Sequence, residues 1–326
     1  EGGFEVRILN NRIDLDVNYY SRRTKNDILF PPISQATGYS AGPRNLGLIT
    51  NKGWEISLGG SPLKKNDFTW DVNYNFSYNK SKIVELAEGI DVLTISNGIG
   101  GPTMINAVGL PYSTVRAYVM KRDANGTLVY NSATGYEDRE LKDLGVGNPP
   151  YLMGLSNNFR YKRLSLTVDI DSKFGAVGYS NLIQYATRFG LTPQTLPGRE
   201  NGLTVTGVDQ SGEKFTKLWP VVNLDTYYNN FGSAYPGQFV YNTDFIKLRR
   251  IVLRYSLPVN NLKFMKIQSA TIGITGLNLA ILYQDKRVKE AGIDPEMQET
   301  VGNGQGSQGV SMPKTRNIGF NLNLRF

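Results

Sequence analysis

The run Phe68-Thr69-Trp70-Asp71-Val72-Asn73-Tyr74-Asn75-Phe76-Ser77-Tyr78-Asn79 puts an aromatic residue or Val at every even position and a polar residue at every odd one. Side chains of a β-strand point alternately to two faces, so this run is a strand with one greasy face and one wet face. A slip of one residue would carry every aromatic to the wet side, which pins the register. The same alternation ends the chain, in Ile318-Gly-Phe320-Asn-Leu322-Asn-Leu324-Arg-Phe326. It recurs where Ile13, Leu15, Val17 and Tyr19 alternate with Asp14, Asp16, Asn18 and Tyr20, and where Leu164, Leu166, Val168 and Ile170 alternate with Ser165, Thr167, Asp169 and Asp171. Less regular strands are expected at 4–9, 54–59, 151–161, 245–257 and 269–283, giving nine with the last at 316–326. Those at 245–257 and 269–283 change phase at Arg249-Arg250 and near Gly276-Leu277-Asn278, as β-bulges do.

A soluble sandwich would need a partner sheet for each greasy face; an outer-membrane barrel gives it to lipid and turns the wet face to the lumen. The chain has 326 residues, with 19 Tyr, 14 Phe and 35 Gly, and no apolar run nears the ~18 residues of a membrane-spanning helix. A helical membrane protein is excluded. The absence of Cys and His removes disulfides, thiolate metal sites and the usual general base, so hydrolytic triads and zinc chemistry are not expected. The net charge of +8 comes from scattered Lys and Arg, not from one basic face, which argues against nucleic acid. Glu1 is neither an initiator Met nor the start of a signal peptide, so further sequence is expected upstream.

Connection lengths separate barrel from sandwich. Short turns at Asn10-Asn11, 62–67, 161–163 and 258–264 alternate with long segments at about 25–50, 83–149, 177–242 and 284–312. Short turns on one rim and long loops on the other are the outer-membrane pattern, with turns periplasmic and loops extracellular. The C-terminus is then expected in the periplasm, and counting back places Glu1 at the extracellular rim. The fold expected is an all-β antiparallel transmembrane barrel, this chain supplying about nine strands of a larger one.

Several segments sharpen this. Asn51-Lys-Gly-Trp-Glu-Ile56, the run Phe68 to Lys80, Gly147-Asn-Pro149, Asp244-Phe-Ile-Lys-Leu-Arg-Arg-Ile-Val-Leu-Arg-Tyr-Ser-Leu-Pro258, Gly276-Leu-Asn-Leu279 and Gly292-Ile-Asp-Pro-Glu296 occur in order along the chain. Together they resemble the C-terminal half of the SusC/RagA family of TonB-dependent outer-membrane transporters. Arg250 and Arg254 are basic where the family more often has small or polar residues. The resemblance implies an active importer of about 22 strands whose plug and TonB-contacting segment lie outside this chain. It also implies a SusD-like surface lipoprotein as partner, an oligosaccharide or peptide as substrate, and no chemistry in this chain. By the same resemblance, Phe320, Leu322, Leu324 and the terminal Phe326 form the signal read by the barrel-assembly machinery. A passive porin, a secretion-translocon barrel and a soluble carbohydrate-binding sandwich are the alternatives.

Trp219, Tyr227, Tyr228, Phe231 and Tyr235 stand among Asn and Gly in one long loop, a composition suited to docking a partner or stacking on a ligand. The competing reading, weighted more heavily, is that they pack the loop on itself. Asp123-Ala-Asn125-Gly126 has a trace of a calcium loop, but the rest of the pattern is missing and a hairpin turn is favoured. Lys286-Arg287-Val-Lys289 could meet lipopolysaccharide phosphates, although solvated surface charge is the simpler reading. Asp14, Asp16, Asp71, Asp169 and Asp171 are read as polar lumen wall, hydrogen-bonding water and plug, not as catalytic pairs. Tyr19, Trp54, Trp70, Tyr78 and Tyr161 are candidates for interfacial girdles.

Overall fold

A computed structural model describes all residues except 11, 30–35, 37, 40–41, 98–100, 259–266, 297–304 and 310–313. Nine strands form one antiparallel sheet in chain order: β1 (Gly2–Ile8), β2 (Ile13–Leu29), β3 (Arg44–Lys65), β4 (Phe68–Glu85), β5 (Tyr151–Tyr161), β6 (Leu164–Phe174), β7 (Phe245–Ser256), β8 (Ser269–Gln284) and β9 (Asn317–Arg325). Each is hydrogen-bonded to its predecessor, as an up-and-down barrel wall requires.

The apolar positions of neighbouring strands meet in register. Tyr19, Trp54, Tyr78, Tyr151 and Phe174 form one continuous row across five strands. The rings touch, with Tyr19–Trp54 centroids 4.9 Å apart and Tyr78–Tyr151 4.7 Å apart. A second aromatic row runs through Phe68, Tyr161 and Tyr255, with Leu164 between the last two. The two rows are ten residues apart on β4 and on β5. That is about 33 Å of strand and about 25 Å of membrane at a ~40° tilt, the height of the apolar band of an outer-membrane barrel. Trp54, Tyr161 and Ile274 are 46%, 53% and 45% exposed. No second sheet covers this face among the described residues, which overturns the sandwich alternative.

Two expected boundaries need correction. β3 continues through Pro62 to Lys65, with a register shift between Gly60 and Leu63, so the turn expected at 62–67 shrinks to Asn66-Asp67. Proline is tolerated there because a bulge frees its position from the ladder. Both ends of the loop expected at 25–50 are strand as well: β2 reaches Leu29 and β3 begins at Arg44. Those extensions pass beyond the aromatic row, where Ile49 and Ile83 pack against the loop layer instead of lipid and the alternation that marks a lipid-facing strand fades. The expected bulges are present, with shifts at Asp169/Ile170, Ile246/Lys247 and Leu248/Arg250. Lys162 takes positive φ in the short turn after Tyr161. The turn expected at 258–264 lies almost wholly outside the described residues.

Long segments read as loops hold structure of their own. Segment 86–149 contains a four-stranded antiparallel sheet of Val92–Asn97, Thr103–Ala107, Thr114–Met120 and Arg139–Val146. Segment 177–242 contains the hairpin Leu203–Asp209/Lys214–Trp219 and helices α1 (Asn181–Arg188) and α2 (Leu224–Ala234), which pack on each other. A short α3 (Lys286–Glu290) follows β8. The buried hydrophobic clusters lie in these segments and in the strand tops beneath them. One gathers Val115, Tyr179, Phe239, Val240, Tyr241, Val288 and Ile293; a second, Tyr130, Val205, Trp219, Leu224, Tyr227 and Tyr228; a third, Ile49, Ile83, Leu86 and Leu93.

Candidate functional site

The wet face of the wall carries rows as continuous as the greasy one. Glu5, Asp16, Ser57, Asn75, Gly154, Asp171 and Lys247 are successive register partners, and so are Asn18, Glu55, Ser77, Leu152 and Lys173. The members of both rows from β2 to β6 line one recess of about 470 Å³. A recess crossing five strands needs a concave surface, so the polar face is the inside of the curve.

Charge on this face is unevenly matched. On β6 and β7, Asp169 pairs with Arg250 at 2.6 Å, and Asp171 accepts two bonds from Arg249 at 2.7 Å each. Arg249 can reach because the bulge of β7 leaves it outside the ladder. Its guanidinium also holds Glu296, at 2.6 and 2.8 Å. Lys247, buried inside the curve, donates to Asp294 at 2.5 Å and to Glu296 at 2.8 Å. Asp294 and Glu296 are the two carboxylates of Gly292-Ile-Asp-Pro-Glu296, so this motif pins the segment after α3 to the inner wall. Burial alone would raise the Glu296 carboxyl, but hydrogen bonds from Arg249 and Lys247 prevail and hold it down at about 2. Arg250, an expected departure from the family pattern, is thereby accounted for as the partner of Asp169.

The five loop aromatics lie inside the loop layer. Trp219, Tyr227 and Tyr228 share one buried cluster, Tyr235 is 1% exposed, and half-buried Phe231 packs edge-on against Tyr235 and Phe239. Tyr227 donates to the Glu137 carboxylate at 2.7 Å, and Tyr235 donates to the Glu137 backbone carbonyl. Burial first, then the Glu137 carboxylate, pushes both phenols well above their ordinary range. Their side chains tie 177–242 to 83–149, and anything docking from outside meets their exposed neighbours Phe189, Leu191 and Val222, which are 66%, 77% and 82% exposed.

Phe320, Leu322 and Leu324 lie on the greasy face of β9, opposite Ile274, Ile272 and Ala270, and Phe326 follows the strand's last residue. Asp123 accepts from the backbone N–H of Asn125 and Thr127 at 2.9 and 2.8 Å, the arrangement of an ordinary Asx turn. Arg287 turns inward, donating to the Gln238 carbonyl and covering the Tyr241 ring, while Lys286 pairs with Glu290. Sequence reading missed Arg188 and Arg199, two cations in 177–242 that face a large recess. Helix α1 offered a signal in its apolar–polar periodicity, submerged in a segment too long to read as one element.

No family model matches the chain. In sequence it is 26% identical over 357 residues to TonB-dependent receptor P3 of Formosa agariphila, covering 99% of this chain and 33% of that protein. TonB-dependent receptor P26 of the same organism is 26% identical over 350 residues, covering 99% of this chain and 34% of its own length. SusC of Bacteroides thetaiotaomicron is 24% identical over 314 residues, covering 92% of this chain and 29% of SusC. In fold, the RagAB peptide importer in its closed-closed state superposes with a TM-score of 0.69 at 20% identity, covering 99% of this chain and 34% of the importer chain. The open-open state of that importer gives 0.66. The chain thus spans about a third of the length of the relatives it matches. Ordered strands, inner and outer faces, and relatives over nearly its whole length agree: this chain has the fold of a barrel wall and is similar, along almost all of its length, to part of SusC/RagA-type TonB-dependent transporters.

Proposed function

We propose that the whole protein is a TonB-dependent importer of oligosaccharides or peptides in the outer membrane of a Gram-negative, Bacteroidetes-like bacterium. This chain supplies the C-terminal part of the barrel and much of its outer collar, and performs no chemistry of its own. The carrying observation is the wall: a greasy band about 25 Å high between two aromatic rows, backed by a wet concave face. Long loops face the exterior and the C-terminus the periplasm. A plug and a TonB-contacting segment belong to sequence outside this chain, and β9 closes the barrel against the first strand of the full-length protein. Closure is required because an open edge in hydrocarbon leaves backbone groups unpaired at several kcal/mol each.

A SusD-like surface lipoprotein is the proposed partner, seated on segments 83–149 and 177–242. Their aromatic interior makes a rigid platform, and the exposed Phe189, Leu191 and Val222 offer the apolar contact an interface centre uses. Because the two segments share one core, they must be removed together in a test. The lipoprotein should then cease to co-purify while the barrel still migrates as a heat-modifiable species. Retention of the lipoprotein would end this partner assignment. Uptake that persists after loss of TonB would instead favour a passive porin. Removal of Phe326 should lower the amount of assembled barrel, and unchanged levels would contradict its role in assembly.

A further inference from the structure

The outer layer holds a recess of about 910 Å³ between α1 with its following turn and α2. This is the upper end of the range for small-ligand sites, with room for several sugar rings or peptide residues. Its charge is lopsided: Arg188 and Arg199 face it, opposite a single carboxylate, Asp225. Asp225 is engaged locally, its Oδ1 accepting from the Thr226 N–H at 2.6 Å and hydroxyl at 3.2 Å. Among the described residues, neither guanidinium is paired with a carboxylate.

The two cations are held differently. Arg199 donates from Nε to the Thr195 carbonyl at 2.9 Å and from its terminal nitrogen to the Thr195 hydroxyl at 3.0 Å and the Gly190 carbonyl. Neutral acceptors orient a guanidinium without cancelling its charge. Arg188 lays its stem along α2 at Gly232, where an added Cβ would collide with Arg188 Cγ. Its Nε and one terminal nitrogen share a single amide oxygen, Asn229 Oδ1, at 3.4 and 3.3 Å. Bonds that long are readily exchanged for a better acceptor. A ligand that presents a carboxylate would match both guanidinium groups.

We propose that this recess binds the carboxylate of an anionic nutrient, Arg188 being its direct ligand and Arg199 the second cation. Only the word nutrient rests on the import reading above. Uronate oligosaccharides and peptides both supply this chemistry. The test is calorimetric titration of the purified full-length transporter with galacturonate trisaccharide, neutral galactose trisaccharide, a tetrapeptide with a free C-terminus and the same tetrapeptide amidated. One acid should bind at least tenfold tighter than its neutral counterpart, and which one identifies the source. Arg188→Gln should abolish that preference, and Arg188→Lys should keep part of it. Asp225→Asn should strengthen acid binding a few-fold, a gain that misfolding cannot produce. Equal binding of acid and neutral probes, no binding of either acid, or an unchanged preference in Arg188→Gln would each overturn the proposal. Failure of acid binding with TonB-dependent uptake intact would remove this site alone. Acid binding with uptake indifferent to TonB would remove the import reading and leave the site.

Discussion

The wall and the outer layer of this chain are built from similar residues for opposite surroundings. In and between the aromatic rows the large apolar side chains stand outward, Trp54, Tyr161, Leu253 and Ile274 being 39–53% exposed, and most polar ones line the inside. Above the rows the order reverses: Tyr179, Tyr235 and Phe239 are at most 1% exposed and pack as in a soluble protein. The barrel needs no apolar core because lipid takes its greasy face, and its ladder satisfies the backbone. The collar stands in water and must bury its aromatics against one another.

That contrast can be broken most forcefully in the collar. Phe239→Ala in the full-length protein should cost ~3–5 kcal/mol of local stability, the range for emptying a buried aromatic site. Limited proteolysis should then cut within 177–242 while the barrel stays folded. Joint unfolding of barrel and collar would show that the two are one cooperative unit.

A charge on the greasy face tests the other half. Leu155→Arg, midway between the aromatic rows, should destabilise the folded barrel in lipid by ~2–4 kcal/mol. Asn75→Arg on the wet face should change stability by less than ~1 kcal/mol. Reversible urea unfolding in vesicles measures both, and equal costs would refute the assignment of faces.

The ionic clamp sharpens the comparison, since it fastens the segment after α3 to the wall by charge, alongside the apolar packing of Ile293 in the collar. The folded-state pKa of Glu296 is depressed to about 2 from an ordinary 4.5, so its contribution is complete above 4.5 and is lost as pH falls through about 2. A shift of this size is worth about 3 kcal/mol. Hydrogen exchange in 286–296 should therefore accelerate between pH 4.5 and pH 2, and Glu296→Gln should remove that acid step. An unchanged acid step in the variant would assign it elsewhere.

The smallest effect concerns one polar residue on the greasy face. Asn157 accepts from the Trp70 indole N–H at 3.1 Å. Trp70→Phe should cost ~1–3 kcal/mol by stranding the amide, whereas pairing it with Asn157→Leu should recover most of that. A double-mutant cycle by thermal unfolding in detergent reads the difference, and additive costs would argue that the bond contributes nothing.

The sequence by itself determined the wall. Alternation is a property of neighbours along the chain, so Phe68 to Asn79 and Leu164 to Asp171 announce their faces without help from distant residues. Tyr151–Tyr161 came out with its expected bounds, and the phase breaks near Arg249 and Gly276 mark the bulges seen. Strand ends beyond the aromatic row were misplaced because no lipid-facing stripe marks them and the pattern fades. Only the tertiary structure decided the collar. Its aromatics carry no period that distinguishes a buried ring from a docking ring, and the choice is made by contacts such as Tyr227 with Glu137, 90 residues apart. Tertiary structure likewise decided that Asp294 and Glu296 meet Lys247 and Arg249, and that Arg188 and Arg199 face one recess. The physical reason is the same in each case: a face is set by the next residue along, a pairing by whichever distant segment folds against it.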